Sequence, residues 1–392
     1  MRRADPKLAG WRGAHNVLDA ADLPDGYVAD ALDGYFDGAR VFEALPAPTD
    51  RGGPALIAVW RGPVQLALGA DGTLYRLDSL PAETLRAGLA GDWLAAVAVG
   101  PSVYLSDGQT MLLIEDGAAR PWTVPAPLPQ VARIDGAIPA GHYQLAITWV
   151  LDDGRESGCE PQPLTLDAPS GLALGHAAPV PEGVAYARIY LTATDGTELY
   201  QRGAWAVDRP EYRLLALGDA GATLDTAGYD AMPPSQCVGA WGARLAVAVG
   251  CDLYLSPPYL PHLADLAITY RLEHPITALW DSDAGLVVGT SAGLYLLSGQ
   301  DATAAPLLTF NRSGGVLLQN PTPVDAQQLR HGDGWLPVGV LLASRAGVLH
   351  VSDGGQATLL TADTYQFPTG ERASGAVMPF PGGSQFLFTI EE

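Results

Sequence analysis

Lysine is almost missing from this chain. Of 22 basic residues only Lys7 is a lysine, against 43 acidic ones, and the formal net charge is −21. A phosphate-cradling loop that ends in Gly-Lys-Ser/Thr is therefore excluded, because Lys7 does not follow the glycines it needs. So acidic a surface repels nucleic-acid phosphates, which excludes a sequence reader or a DNA-condensing protein. It fits either plain solubility or a wall past which DNA slides without sticking. Cysteine is also scarce: Cys159, Cys237 and Cys251, with no Cys-x-x-Cys pair. That count argues against a disulfide framework and fits a reducing cytosol. Seven histidines form no His-Glu-x-x-His or His-x-His motif. No apolar run reaches the ~18 residues that span a bilayer, so no membrane insertion is expected. The opening MRRADPKLAGWRG lacks the apolar core of a signal peptide. Helical periodicity is scarce as well. The short candidates are 19–33, with Asp19 or Asp22 as cap, 81–90 and 323–330.

What the chain does have is turns. It carries 46 Gly and 32 Pro, and Asp-Gly recurs between apolar, β-prone runs: Asp71-Gly72, Asp107-Gly108, Asp116-Gly117, Asp153-Gly154, Asp195-Gly196, Asp353-Gly354. Such a pair suits a two-residue type I′ hairpin turn. One phrase repeats: SVYLSDG (102–108), DLYLSPP (252–258), GLYLLSG (293–299), VLHVSDG (348–354), and more weakly TLYRLDS (73–79). Each follows a small-residue apolar strand. The spacing of the shared aromatic position predicts units of roughly 40–50 residues, the sign of a β-propeller. Residues 276–310 spell one complete blade of four strands. We expect an all-β fold with about six blades, five to seven being allowed. The tyrosines and leucines of the phrase alternate faces, so that each blade packs on the next.

Between Tyr104 and Tyr254 lie 150 residues, too many for one unit. Proline-rich stretches at 121–130 and 232–236 bound a segment of different texture, about 131–231. Its hairpins, GHYQLAITWVLDDGRESG (141–158) and VAYARIYLTATDGTELYQRG (184–203), predict an inserted β-sandwich of fibronectin type III-like form. The expected organisation is an N-terminal arm with a propeller-closing strand (1–48), blades over 49–130, the insertion over 131–231, and blades again over 232–392.

Chemistry-bearing motifs are few. GTSAG (289–293) matches Gly-x-Ser-x-Gly around Ser291, with His331 and His350 downstream in hydrolase order. A nucleophile elbow needs a helix after the turn, and a strand follows here. The turn itself is expected to require an unusual backbone at Gly293. Asp152-Asp153 and Asp281/Asp283 lack the regular ligand spacing of a calcium loop, and turn chemistry explains them. No catalytic, cofactor or metal residue is assigned, and no enzyme is expected. Two other readings stand beside a structural one: a propeller adhesin that binds glycans, and a propeller hydrolase built on channel carboxylates.

Taken in order, the segments resemble a known family. Residues 10–48, with Leu23, Pro24 and Gly26, then Asp30, Ala31 and Asp33, are similar to the opening of tailed-phage virion proteins. Gly141, Tyr143, Thr148, Trp149, Gly154, Glu156 and Ser157 match the pattern of their fibronectin-like insertion, and 187–200 its following strand pair, with Leu191 where an Arg is usual. Residues 243–262, 274–301 and 341–368 resemble their later blades. The resemblance is to the β-propeller tail nozzle (tail tubular protein B-like) and tail-tip group. It implies a homo-oligomeric ring, hexameric with a trimer as the alternative, in a virion tail assembled in the host cytoplasm. It also implies docking to adaptor, tube or fibre proteins, and DNA that passes without specific binding.

Overall fold

The computed structural model describes residues 55–78, 81–177, 179–299, 308–311, 314–331, 334–361, 370–380 and 383–391, with four short strands before them. Those four are β1 (Gly13–Ala14), β2 (Tyr27–Val28), β3 (Gly34–Phe36) and β4 (Phe42–Ala44). Within the helix expected at 19–33, Tyr27–Val28 is instead a strand paired with β1; the rest of that segment and the remaining residue-level expectations for 1–48 lie outside the described residues.

The protein is all-β, built from many small antiparallel sheets. Sheet 1 is β5 (Leu56–Arg61), β6 (Gln65–Gly69), β7 (Leu74–Arg76) and β8 (Glu83–Arg86); sheet 2 is β9 (Ala95–Val99), β10 (Ser102–Ser106), β11 (Met111–Glu115) and β12 (Ala118–Pro121). A two-sheet unit follows. Its strands are β13 (Pro129–Ile138), β14 (Gly141–Leu151), β15 (Gln162–Leu166), β16 (Ser170–His176), β17 (Val184–Leu191), β18 (Tyr200–Ala206) and β19 (Tyr212–Leu214). They pair in the orders β13-β16-β19 and β15-β14-β17-β18. The short β20 (Asp230–Ala231) leads to sheet 3: β21 (Cys237–Trp241), β22 (Arg244–Val249), β23 (Asp252–Leu255) and, after β24 (Leu263–Ala264), β25 (Tyr270–Arg271). Sheet 4 is β26 (Ile276–Ser282), β27 (Gly285–Thr290), β28 (Gly293–Ser298) and β29 (Leu308–Asn311). Sheet 5 takes β30 (Thr322–Val324), β33 (Gly339–Ser344), β34 (Gly347–Ser352) and β35 (Ala357–Leu359), with the small hairpin β31 (Arg330–His331) and β32 (Gly334–Trp335) between its first two strands. β36 (Arg372–Phe380) and β37 (Gly383–Glu391) form a terminal two-stranded sheet.

Among the described residues the one helical element is a 3-10 turn, Leu266–Ile268. The short helices expected at 81–90 and 323–330 are not formed. Glu83–Arg86 is the edge strand of sheet 1, and Thr322–Val324 the edge strand of sheet 5. Each candidate is only about two turns long, too short to hold as a helix without strong packing, and sheet pairing takes part of each instead.

The alternation in the repeated phrase does the packing work. In β10, Val103 and Leu105 join the core shared with sheet 1, while Tyr104 turns toward sheet 3. In β23, Tyr254 faces sheet 2, and Leu253 and Leu255 face sheet 4. β28 and β34 continue the scheme, with Leu294, Leu349 and Val351 in the core between sheets 4 and 5. Each sheet thus shares an apolar core with the next, because strand side chains point alternately to opposite faces. Sheets 2 and 3 do so although the whole two-sheet unit separates them in sequence. The phrase occupies the third strand of sheets 1, 3, 4 and 5 but the second of sheet 2, whose strand order is shifted by one.

Asp-Gly marks the turns, though only one pair of the six places both residues at positive φ. That pair is Asp116 (+52°) and Gly117 (+77°), which join β11 to β12 by a two-residue loop. This is the type I′ geometry. At the other five pairs at most one of the two residues adopts it.

Candidate functional site

The densest polar constellation sits where the two-sheet unit joins the rest. β14 ends in the Asp-Asp-Gly-Arg-Glu-Ser turn, which projects Arg155 back across the entering linker. Its guanidinium donates to the carbonyls of Trp122 and, at 2.9 Å, Pro121. The same group holds Asp153 at 2.6 Å. Burial would raise the Asp153 carboxyl, but its bonds to Arg155 and the nearby Arg120 carry it below the ordinary carboxylate range. The Trp122 ring is fully buried and donates Nε1–H to the Pro261 carbonyl at 2.8 Å. The Thr123 hydroxyl donates to the His262 carbonyl at 2.7 Å. The His262 Nε2 lies 2.9 Å from the Glu156 carbonyl oxygen. Beyond it, the Glu156 carboxylate accepts from Thr148 Oγ1 (2.5 Å), Tyr190 OH (2.8 Å) and Arg188 Nη1 (2.5 Å). Burial, together with that carboxylate, pushes the Tyr190 phenol up. A separate two-pronged pair, Arg86 to Glu182 at 2.8 and 2.6 Å, ties sheet 1 to the unit.

These contacts account for the motif residues recognised in sequence. Thr148 and Glu156 bond each other, Ser157 Oγ accepts from Trp149 N at 3.0 Å, and Tyr143 OH donates to Pro139 O at 2.8 Å. Arg155 and His262 were not singled out. Neither lies in a recurring pattern, and His262 meets Glu156 across 106 residues of chain, so no local signal could have found them.

The residues that sequence motifs did suggest are scattered. Ser291 and Ala292 are the two-residue turn between β27 and β28. The working hydroxyl there belongs to Thr290, which donates to Gly293 O at 2.9 Å and accepts from Gly293 N at 3.2 Å. Ser344 caps the equivalent turn of sheet 5 in the same way. Gly293 begins its strand without a positive φ, so the unusual backbone expected there is not needed. His350 is buried with Nε2 3.1 Å from Pro337 O, and His331 is exposed in the small β31–β32 hairpin. Asp152-Asp153 belongs to the Arg155 turn. Asp281 and Asp283 border an open cavity of about 670 Å³ with Trp280, Ser282 and Asp353. Burial, opposed by a bond from Gly242 and assisted by Asp283, raises the Asp281 carboxyl to about 6. Among the described residues no group of three or more His, Cys, Asp or Glu is arranged to hold a metal ion. Burial pushes the thiols of Cys159 and Cys237 up to about 12, which keeps both protonated. No described helix is long and apolar enough to cross a membrane.

Residues 315–320 cross between the sheets. Val316 N donates to Thr290 O in sheet 4, and Gln319 N to Thr277 O in the same sheet. Leu317 N and the Gln319 amide bond Ala343 in sheet 5. Leu318 N takes Glu371 O, and Asn320 Nδ2 reaches Leu94 O, at the start of sheet 2, at 2.7 Å. The Leu318 side chain packs against the cores between sheets 2 and 3 and between sheets 3 and 4. Gly315 permits this path, because a Cβ there would stand 2.0 Å from the Ser291 carbonyl oxygen. Near this crossing the terminal hairpin meets residues of sheet 1 and those leading into sheet 2. Arg372 pairs with Asp92 at 2.8 Å and lies over the Trp93 ring, while Arg61 approaches the Met378 sulfur at 3.3 Å.

No protein-family model matches the chain, and no curated protein matches it in sequence. Among solved structures it is similar to BBS1N in complex with ARL6DN, at 12% identity over 86% of this chain and 91% of that one, with a TM-score of 0.34. It is similar also to PorZ, an essential bacterial surface component of the type-IX secretion system of Porphyromonas gingivalis, at 12% identity over 86% of this chain and 38% of that one, TM-score 0.33. A third is AztD from Citrobacter koseri, at 10% identity over 81% and 76% of the two chains, TM-score 0.34. At these scores none of the three carries an argument about this chain's function.

Proposed function

We propose that the chain is a structural subunit of a phage tail, a nozzle or tail-tip ring around the path by which DNA leaves the particle. The observation that carries this reading is the ordered resemblance to tail nozzle and tail-tip proteins over most of the sequence. We read the successive sheets as blades of one propeller and the two-sheet unit as a fibronectin type III-like insertion between its second and third blades. Three features of the molecule support that reading. Consecutive sheets share cores face to face, residues 315–320 touch sheets on several sides, and the last hairpin returns to the first sheets. On this reading residues 315–320 lie across the middle of the propeller, so the DNA path is assigned to the axis of a ring of subunits and not to the propeller's own axis. The charge of −21 suits a wall that repels phosphate and holds it nowhere. The inserted unit projects from the ring and contacts a neighbouring tail protein.

Cryo-electron microscopy of the assembled ring tests this. The expected map has six copies, or three, with more Asp and Glu on the axial wall than on the faces between subunits. Interfaces between permanently assembled subunits should be large and less charged. An axial wall dominated by arginine contradicts the proposal.

A further inference from the structure

His262 is 3% exposed and sits between both linkers of the two-sheet unit and the unit's own 153–157 turn. Its backbone carbonyl accepts from Thr123 on the entering linker (2.7 Å) and from Met232 N on the leaving one (3.5 Å). Its ring faces the turn. A carbonyl can only accept, so Nε2 carries the proton that bonds Glu156 O, and Nδ1 is the bare nitrogen. Nδ1 is buried and has no hydrogen-bond partner among the described residues. The charged groups facing the ring come from the turn: Arg155, Asp153 and Glu156. The linkers present Trp122, Thr123 and Met232, which do not titrate, and Asp230 near the leaving linker is exposed.

We propose that His262 is an acid-sensitive latch that fixes the inserted two-sheet unit against the sheets above neutral pH and releases it on acidification. A second proton would fall on Nδ1, where no described residue offers an acceptor, and beside the Arg155 guanidinium. The imidazolium is therefore accommodated only when the junction opens and the ring meets water. Burial first, and then Arg155, hold this histidine below 6.5, against the pull of the Glu156 carbonyl bond and the Asp153 and Glu156 carboxylates. The sign follows from linkage. The closed junction binds fewer protons than the open one, so it loses stability as pH falls from 6.5 toward the depressed value. The open fraction rises by up to about tenfold per pH unit across that window.

Hydrogen–deuterium exchange at pH 7.5 and 5.5, corrected for intrinsic rates, reads the junction directly. Peptides covering 121–125, 153–158, 230–233 and 260–263 should exchange faster at the lower pH, by up to about tenfold, while the sheet cores should not. His262→Gln keeps a donor for Glu156 O and cannot titrate, so its junction should lose the pH response. His350→Gln, at a buried histidine far from the junction, should retain it. If His262→Gln does not fold, an NMR titration of the wild-type imidazoles decides. A His262 midpoint at or above 6.5 overturns the latch, as does junction exchange that ignores pH or that persists in the Gln variant.

Discussion

Asp281 shows how much a single carboxyl in a poor environment matters. It lies half-buried beside Asp283, and burial raises it to about 6. Its folded value is above its unfolded one, so the stability it contributes is complete below 3.8 and lost as pH rises through about 6. At pH 7.5 the wild type carries a charge its surroundings resist. Asp281→Asn should therefore stabilise the protein by about 1 kcal/mol at pH 7.5, a figure discounted from the full shift because the group is half in water. At pH 3.5 the two proteins should unfold at the same urea concentration. A variant that is less stable at pH 7.5 would show that Asp281 has a partner worth more than its desolvation. At this scale the sequence was a mixed guide. The Asp281/Asp283 pair and Ser291 were visible as letters, but whether a hydroxyl or carboxyl works alone or in company depends on residues far along the chain. The hydroxyl that bonds this turn is that of Thr290, and Ser291 is one of the two residues at its tip.

Turns and strands were far more legible, because their rules are local. Alternation placed Val103 and Leu105 on one face and Tyr104 on the other, and β10 obeys it. Asp116-Gly117 announced a type I′ hairpin and forms one. The strand at 83–86 was missed because short amphipathic stretches read equally well in either period; pairing with β7 decides it. Two glycines separate backbone strain from steric exclusion. Gly117 sits at φ +77° with open space around a would-be Cβ, so Gly117→Ala should cost about 1 kcal/mol through the left-handed conformation alone. Gly315 has no positive φ, but its Cβ would overlap the Ser291 carbonyl, which forces the crossing strand off its bonds to Thr290 and Ala343. Gly315→Ala should cost more than about 2 kcal/mol, the level at which buried hydrogen bonds are lost outright. Thermal melts of the two variants should rank in that order. The reverse ranking would remove 315–320 from the middle of the sheets.

For the molecule as a whole, what the sequence conveyed was order. Small sheets follow one another, a different two-sheet unit interrupts them, and sheets 2 and 3 close up behind it. The crossing at 315–320 and the Arg155–His262 junction were not legible. Both are made by contacts between residues dozens to hundreds of positions apart, such as Asn320 with Leu94, and neither repeats. Together they tie sheets 2, 4 and 5 to one segment and pin the two-sheet unit to the sheets through named side chains. The central claim is that this molecule sits in a tail. Immunogold electron microscopy of tailed particles from the source lysate, with antibody raised against residues 141–203, tests it most directly. Gold at the tail or its tip is the predicted result, and its position would show which way the inserted unit faces. Tailed particles that carry no label at any point along them would contradict the account.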